Sequence, residues 1–259
     1  MEFQPNYLKL CVKSTVTKRT KSIRNTHTNQ ENVRTFIYTA NAHTAMQYKN
    51  FTLDKFQEDA IHVLERGNSV VVSAATGTGK TLIADYMINK AIDEGVKAVY
   101  TAPIKALSNQ KFREFSEAYP GKVGMMTGDV VINPDAQILI MTTEVYRNIL
   151  VERGEKAQEI KYVVFDEVHF INDIERGTVW EESIIFSPDQ VRFVCLSATI
   201  PNFTQFAEWI STIKGHTVET VSYMKRAVPL SHEFYDSVLG VTDMQSIIKD
   251  VKDTKKPHQ

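Results

Sequence analysis

Two short segments combine residue types whose spacing can do chemistry on phosphate. The first, Ala74-Ala75-Thr76-Gly77-Thr78-Gly79-Lys80-Thr81, places two glycines and a lysine in a P-loop pattern. Its glycines let backbone N–H groups close around phosphate oxygens, a helix starting behind it adds positive potential, and Lys80 reaches the outer phosphates. The hydroxyl of Thr81 is placed to join Mg²⁺. The second segment, Asp166-Glu167-Val168-His169, supplies two carboxylates with separable tasks. Asp166 is suited to hold Mg²⁺, directly or through water, while Glu167 orients and deprotonates a water attacking the terminal phosphate. The expected catalytic set is therefore Lys80, Asp166 and Glu167, with Thr81 and Asp166 as metal ligands and ATP and Mg²⁺ as cofactors. Alone, a Gly/Thr turn before a helix or a pair of acids after a strand is ordinary. Separated by about 90 residues in this order, they make a specific combination.

Both segments need elements to position them. Short β-branched runs alternate with stretches of helical periodicity from about Phe51 onward, which predicts an α/β fold with a mostly parallel sheet sandwiched by helices, and the family resemblance that the motifs carry implies that this is a RecA-like P-loop domain. The runs read as strands are Ser69–Ser73, Ala98–Thr101, Val123–Met126, Ile138–Thr142, Tyr162–Phe165, Arg192–Leu196 and Thr217–Ser222. Several are apolar throughout, as strands covered on both faces should be. The phosphate loop thus follows a buried strand and opens a helix, marked by Leu82, Ile83, Tyr86 and Met87 and stopped by Gly95. The two acids sit at the C-terminal end of another strand, the edge where α/β sheets take ligands. Phe203, Phe206, Trp209 and Ile210 form a further apolar stripe behind Asn202 as N-cap.

Composition adds limits. With 42% hydrophobic and 24% charged residues, the 259-residue chain can bury one substantial core. Cys11 and Cys195 match no metal or redox spacing, which points to a reducing compartment, cytoplasmic or nuclear, and not to secretion. No apolar run is long enough for a membrane span. Up to residue 48, Lys9, Lys13, Lys18, Arg19, Lys21, Arg24 and Arg34 face only Glu2 and Glu31, a balance of +5, whereas the whole chain carries −1. This lead reads as a solvated polar extension. A phosphate-contacting arm and an organellar transit peptide are its alternatives. The expected division is residues 1–48 as extension, 49–236 as the ATP-binding domain, and 237–259 as a charged tail.

Taken together, these motifs resemble superfamily-two helicases with a DExH box, and their neighbours resemble the superkiller-type RNA helicases that work with the exosome. The resemblance runs from about Phe51 to about Asp236. It implies that Phe51 stacks on adenine and Gln57 reads the base edge, within Phe51–Gln57. Thr76, Gly77, Thr78, Gly79, Lys80 and Thr81 then hold the phosphates. Thr101–Lys111, with Pro103, Lys105 and Ser108, resembles the segment that grips a single strand by its phosphates. Thr127, Gly128 and Asp129, and Thr143 and Glu144 after Thr142, resemble further strand-contacting loops. Glu175-Arg176-Gly177 with Val179–Glu182 resembles a stretch distinctive of the superkiller type. His169, Ser197 and Thr199 resemble residues that couple hydrolysis to strand grip, and Arg226, Pro229 and Leu230 the strand leaving for a second domain.

The family's second RecA-like domain, which supplies arginine fingers, is expected to be absent here, so the chain should bind nucleotide and turn it over poorly. The partners implied are single-stranded nucleic acid, RNA favoured, and exosome-type RNA-decay machinery. A standalone nucleotide-switched binding module and a fragment of a DNA-directed repair helicase stay open as alternatives.

Overall fold

All seven apolar runs form strands of one sheet, because alternate residues of each have an apolar layer to enter on either side. In a computed structural model, the described residues are 46–152, 155–198 and 202–226, together with segments 35–36, 234–236 and 240–242 and residue 245. Thr199, Pro229 and Leu230, and most of the basic lead and the tail, lie outside them.

The elements run β1 (Thr35–Phe36), β2 (Gln47–Tyr48), β3 (Phe51–Thr52), α1 (Lys55–Glu65), β4 (Ser69–Ala74), α2 (Thr81–Glu94), β5 (Lys97–Ala102), α3 (Lys105–Ala118), β6 (Val123–Met126), β7 (Val131–Ile132) and β8 (Ile138–Thr142). They continue with α4 (Thr143–Val151), α5 (Glu155–Gln158), β9 (Ile160–Phe165), a 3₁₀ turn (Val168–Asn172), α6 (Gly177–Phe186), β10 (Arg192–Ser197), α7 (Phe203–Lys214), β11 (Val218–Tyr223), β12 (Phe234–Asp236) and β13 (Gly240–Thr242). The main sheet has the order β1-β11-β4-β10-β9-β5-β8-β6-β7. Its pairs are parallel except β6 with β7 at one edge.

Val70 and Val72 enter one apolar layer with Phe56 of α1, Ile83 and Met87 of α2 and Phe115 of α3. Val71 enters the opposite layer with Tyr146 of α4, Trp180 of α6 and Phe206 of α7. Each of the seven predicted strands is therefore covered on both faces, and its sequence needs no alternation, whereas the edge strand β7 is exposed. Four short pairings lie outside the expected pattern: the β2–β3 and β12–β13 hairpins, the antiparallel β7 beside β6, and β1 beside β11. Segment 1–48 contributes the two-residue strands β1, parallel to β11, and β2. Residues 1–225 and 226–259 form separate compact units, the second holding the β12–β13 hairpin.

The parallel register puts the C-terminal ends of β4, β5, β8, β9 and β10 along one edge. Ser73 pairs with Ser197, Thr101 with Phe165, and Ala102 with Thr142. The phosphate loop and the acidic strand end both issue from that edge, whereas the adenine-side residues Phe51 and Gln57 precede β4.

Candidate functional site

The phosphate loop leaves β4 at Ala74 and becomes α2 at Thr81. Gly77 and Gly79 both take left-handed backbone, with φ of 82° and 80°. A Cβ on Gly79 would also stand 2.9 Å from Gln57 Nε2, so that position is closed to a side chain twice over. Thr78 is turned inward, its hydroxyl donating to the Ala75 carbonyl at 2.7 Å. Lys80 donates to the carbonyls of Ala74 and Ala75 at 2.8 and 3.1 Å. No acid occupies the first turn of α2, and no side chain caps it. The positive end of a 14-residue helix thus faces the loop uncompensated.

Across β10 from β4, strand β9 ends in the two acids. Asp166 is fixed from several sides. Its backbone N–H donates to the Thr101 carbonyl at 3.1 Å, and its Oδ1 accepts the Glu167 N–H at 3.0 Å. Its Oδ2 accepts the hydroxyl of Tyr100, a fully buried residue of β5. Glu167 has a left-handed backbone, φ 55°, unusual for a residue with a side chain and the kind of strain that a surrounding structure must hold in place. That conformation turns the chain sharply from the strand into the 3₁₀ segment. Burial raises the Glu167 carboxyl, and the Asp166 charge adds to it, while His169 and Lys80 oppose the shift. Burial lowers the Lys80 ammonium, and the charges of Glu167 and Asp166 oppose that shift in turn. The phosphate-loop lysine and the two acids therefore share one electrostatic neighbourhood. His169 Nδ1 lies 3.2 Å from Glu167 Oε2 as an ion-pair contact, outside hydrogen-bond geometry.

This donor set fits a magnesium nucleotide. Mg²⁺ takes oxygen ligands and is commonly held by one or two carboxylates together with substrate phosphates. Thr81 is exposed at the start of α2, and Asp166 is already oriented. Ser197, next to the phosphate-loop strand in register, keeps a buried Oγ without a hydrogen-bond partner.

The adenine-side residues divide. Phe51, on β3, is 54% exposed and available for stacking. Gln57 is buried, and its amide is already engaged: Oε1 accepts the Asp54 N–H at 2.8 Å, and Nε2 donates to the Gly79 and Thr78 carbonyls at 3.0 and 3.4 Å. In this structure Gln57 braces the phosphate loop. The β2–β3 hairpin carrying Phe51 is pinned through Lys49, whose ammonium meets Asp85 of α2 at 2.7 Å and the Tyr119 hydroxyl beyond α3 at 2.9 Å.

The expected strand-gripping residues gather along the ends of β5, β6 and β8. Lys105 and Asp129 are exposed and paired at 2.9 Å. Hydrogen bonding to Lys105 holds the Asp129 carboxyl below its ordinary range. Gly128 is exposed beside them. Pro103, Ser108, Thr127 and Thr143 are buried. Ser108 donates to the Ile104 carbonyl at 3.4 Å and Thr127 to Asp129 at 3.1 Å, while the Thr143 hydroxyl has no partner. These loops can thus offer a strand mainly backbone groups and a few charges, the chemistry of phosphate positioning. Glu144 is partly exposed and held by Arg176.

Two residues escaped sequence reasoning. Tyr100 reads as an apolar strand residue, and only the neighbouring strand reveals its hydroxyl on Asp166. Arg176 was visible as part of a motif, with nothing in the sequence to say what it holds.

The model of the DEAD/DEAH box helicase family matches residues 54–206. The antiviral helicase SKI2 of Saccharomyces cerevisiae is 50% identical over 181 residues, which is 70% of this chain and 14% of the relative. The exosome RNA helicase MTR4 of Mus musculus is 49% identical over 185 residues, 71% of this chain and 18% of the relative. This chain therefore spans less than a fifth of these relatives' length. A hypothetical ATP-dependent RNA helicase from Sulfolobus tokodaii shares the fold with a TM-score of 0.52 at 20% identity, over 67% of this chain and 54% of that one.

Proposed function

The chain belongs to the DEAD/DEAH box helicase family, and on that premise we propose that it is the N-terminal ATP-binding motor domain of an ATP-dependent RNA helicase. It binds ATP·Mg²⁺ at the loop after β4 and the backbone of single-stranded nucleic acid, RNA favoured, at the ends of β5, β6 and β8. The observation that carries this reading is the placement of the left-handed phosphate loop after β4 and of Asp166 and Glu167 after β9, on either side of β10 at one edge of the sheet. When bound, Mg²⁺ would supply positive charge against the negative charge developing on the phosphates. Lys80 leaves its loop carbonyls for those phosphates, Thr81 and Asp166 take the metal, and Glu167 accepts the proton of the attacking water. Phe51 stacks on the base, and Ser197, with Thr199 beyond the described residues, relays the state of the site toward the strand.

RNA as substrate and an exosome-type decay machinery as partner follow the name of the MTR4 relative, and a cytoplasmic or nuclear location follows the cysteine usage. Among the described residues no helix is long and apolar enough to cross a membrane. Arg66, Arg147, Arg176 and Arg192 are all engaged away from the phosphate loop. In the family these motifs resemble, a second RecA-like domain supplies arginine fingers, and we assign that assistance to such a domain here.

Titration of the 259-residue chain with a fluorescent ATP analogue, and with single-stranded RNA against DNA at fixed salt, tests the reading. Lys80→Ala abolishes nucleotide affinity. Glu167→Gln preserves it and removes turnover from the longer protein. Equal loss of binding in both variants would refute the assigned roles. Preference for DNA would move the substrate to the repair-helicase class.

A further inference from the structure

Arg176 lies in a loop that its own sequence shapes. Oδ1 of Asp173 accepts the backbone N–H groups of Glu175 and Arg176 at 2.9 and 3.0 Å, which closes a turn directly after the 3₁₀ segment. Gly177 then packs so closely that a Cβ there would stand 2.3 Å from the Ile171 carbonyl. The turn can approach that segment only with glycine in place. From this anchored turn the guanidinium reaches two other loops at once. Nε donates to Glu144 Oε1 at 2.9 Å, and Nη2 donates to the same oxygen and to the Pro103 carbonyl. Pro103 opens the loop after β5, and Glu144 lies in the first turn of α4 after β8.

Charge makes this contact more than a brace. A carboxylate at a phosphate-binding edge repels a polyanion unless a cation neutralises it, and Glu144 is partly exposed there. We propose that Arg176 is a positioning residue for nucleic-acid binding: it holds the loops after β5 and β8 at fixed separation and neutralises Glu144 toward the phosphate backbone. The turn carrying it grows directly out of the acidic strand end, so the same clasp ties Glu167 to the grip by a continuous piece of chain. The inference rests on the nucleic-acid reading above and extends it to a residue whose contacts are entirely within the protein.

The test is a double-mutant cycle on the 259-residue chain with Arg176→Gln, Glu144→Gln and both together. Binding of a single-stranded RNA oligonucleotide, binding of an ATP analogue and the melting temperature are all read. Each single variant weakens RNA binding by about tenfold, the upper part of the range for couplings through a packed network, and the double variant is no worse than either. Nucleotide affinity stays within about twofold, which general unfolding would not allow. The Glu144→Gln result is the sharpest, because it removes a negative charge next to a polyanion and is still expected to weaken binding. Arg176→Lys does not rescue, since a point charge cannot span two acceptors as a guanidinium fork does.

Tighter RNA binding by Glu144→Gln, with Arg176→Gln lowering the salt slope by about one, would make Arg176 a direct phosphate ligand and overturn the clasp. Absence of RNA binding by the unsubstituted chain would instead overturn the nucleic-acid reading. Hydrogen exchange then still decides the clasp. Both variants speed exchange at Ile104–Ser108 and leave Gly77–Thr81 unchanged, and unaltered exchange at the first segment overturns it.

Discussion

Asp166 illustrates how much of this site is made by neighbours. Its type and place mark it as a metal ligand, but the hydroxyl that aims it comes from Tyr100 on the adjoining strand. A hydrogen bond to a charged acceptor contributes about 1.5–3 kcal/mol, so Tyr100→Phe is expected to raise the Mg²⁺ concentration needed for half-maximal turnover by about tenfold in the longer protein. Nucleotide affinity without metal should barely change. A Mg²⁺ dependence unaltered by the substitution would show that Asp166 keeps its aim unaided. The residue types of the phosphate loop and of the acidic strand end were legible because their chemistry demands them. Tyr100 was not, because an aromatic residue inside an apolar run reads as core. The inward hydroxyls of Ser108, Thr127 and Thr143 were illegible for a related reason. A motif fixes which side chains a loop carries, and the path of the loop decides which of them meets solvent.

At the scale of elements, all seven predicted strands formed with ends shifted by two residues at most, since continuous burial on two faces leaves a strong apolar signature. The two-residue strands β1, β2, β3 and β7 were missed because pairs that short have no periodicity to read. The β2–β3 hairpin depends instead on contacts distant in sequence, through Lys49, Asp85 and Tyr119. A similar distant contact joins the turn after α7 to the start of β4, where His216 Nε2 lies 2.7 Å from Ser69 Oγ. Burial, helped by the Arg192 charge, lowers His216 from 6.5 to about 4. The unfolded chain therefore takes up a proton between those values that the folded chain refuses. Stability contributed by the neutral ring is full above pH 6.5 and is lost as pH falls toward 4. His216→Gln should flatten that part of the curve of melting temperature against pH, and a curve of unchanged slope would mean that other groups dominate it.

For the whole molecule, the decisive relation is that the chain spans 14% of SKI2 and 18% of MTR4. Turnover should depend on what is joined to it. Arginine fingers contribute about 10³–10⁵ in rate, so the isolated chain is expected to hydrolyse ATP slower than the longer protein by that order, with no stimulation by RNA. Steady-state phosphate release measured on both decides it, and comparable rates would mean that the site is self-sufficient. The sheet order carries another consequence, for biosynthesis. The strand bearing the phosphate loop, β4, ends at Ala74 and is flanked only by β10 and β11, which begin at Arg192 and Val218. A ribosome adding about 5–20 residues per second therefore leaves this fully buried, valine-rich strand without partners for on the order of 10 s. Throughout that interval the nascent polypeptide exposes an unpaired apolar strand, and chaperones that shield emerging chains have a defined segment to cover.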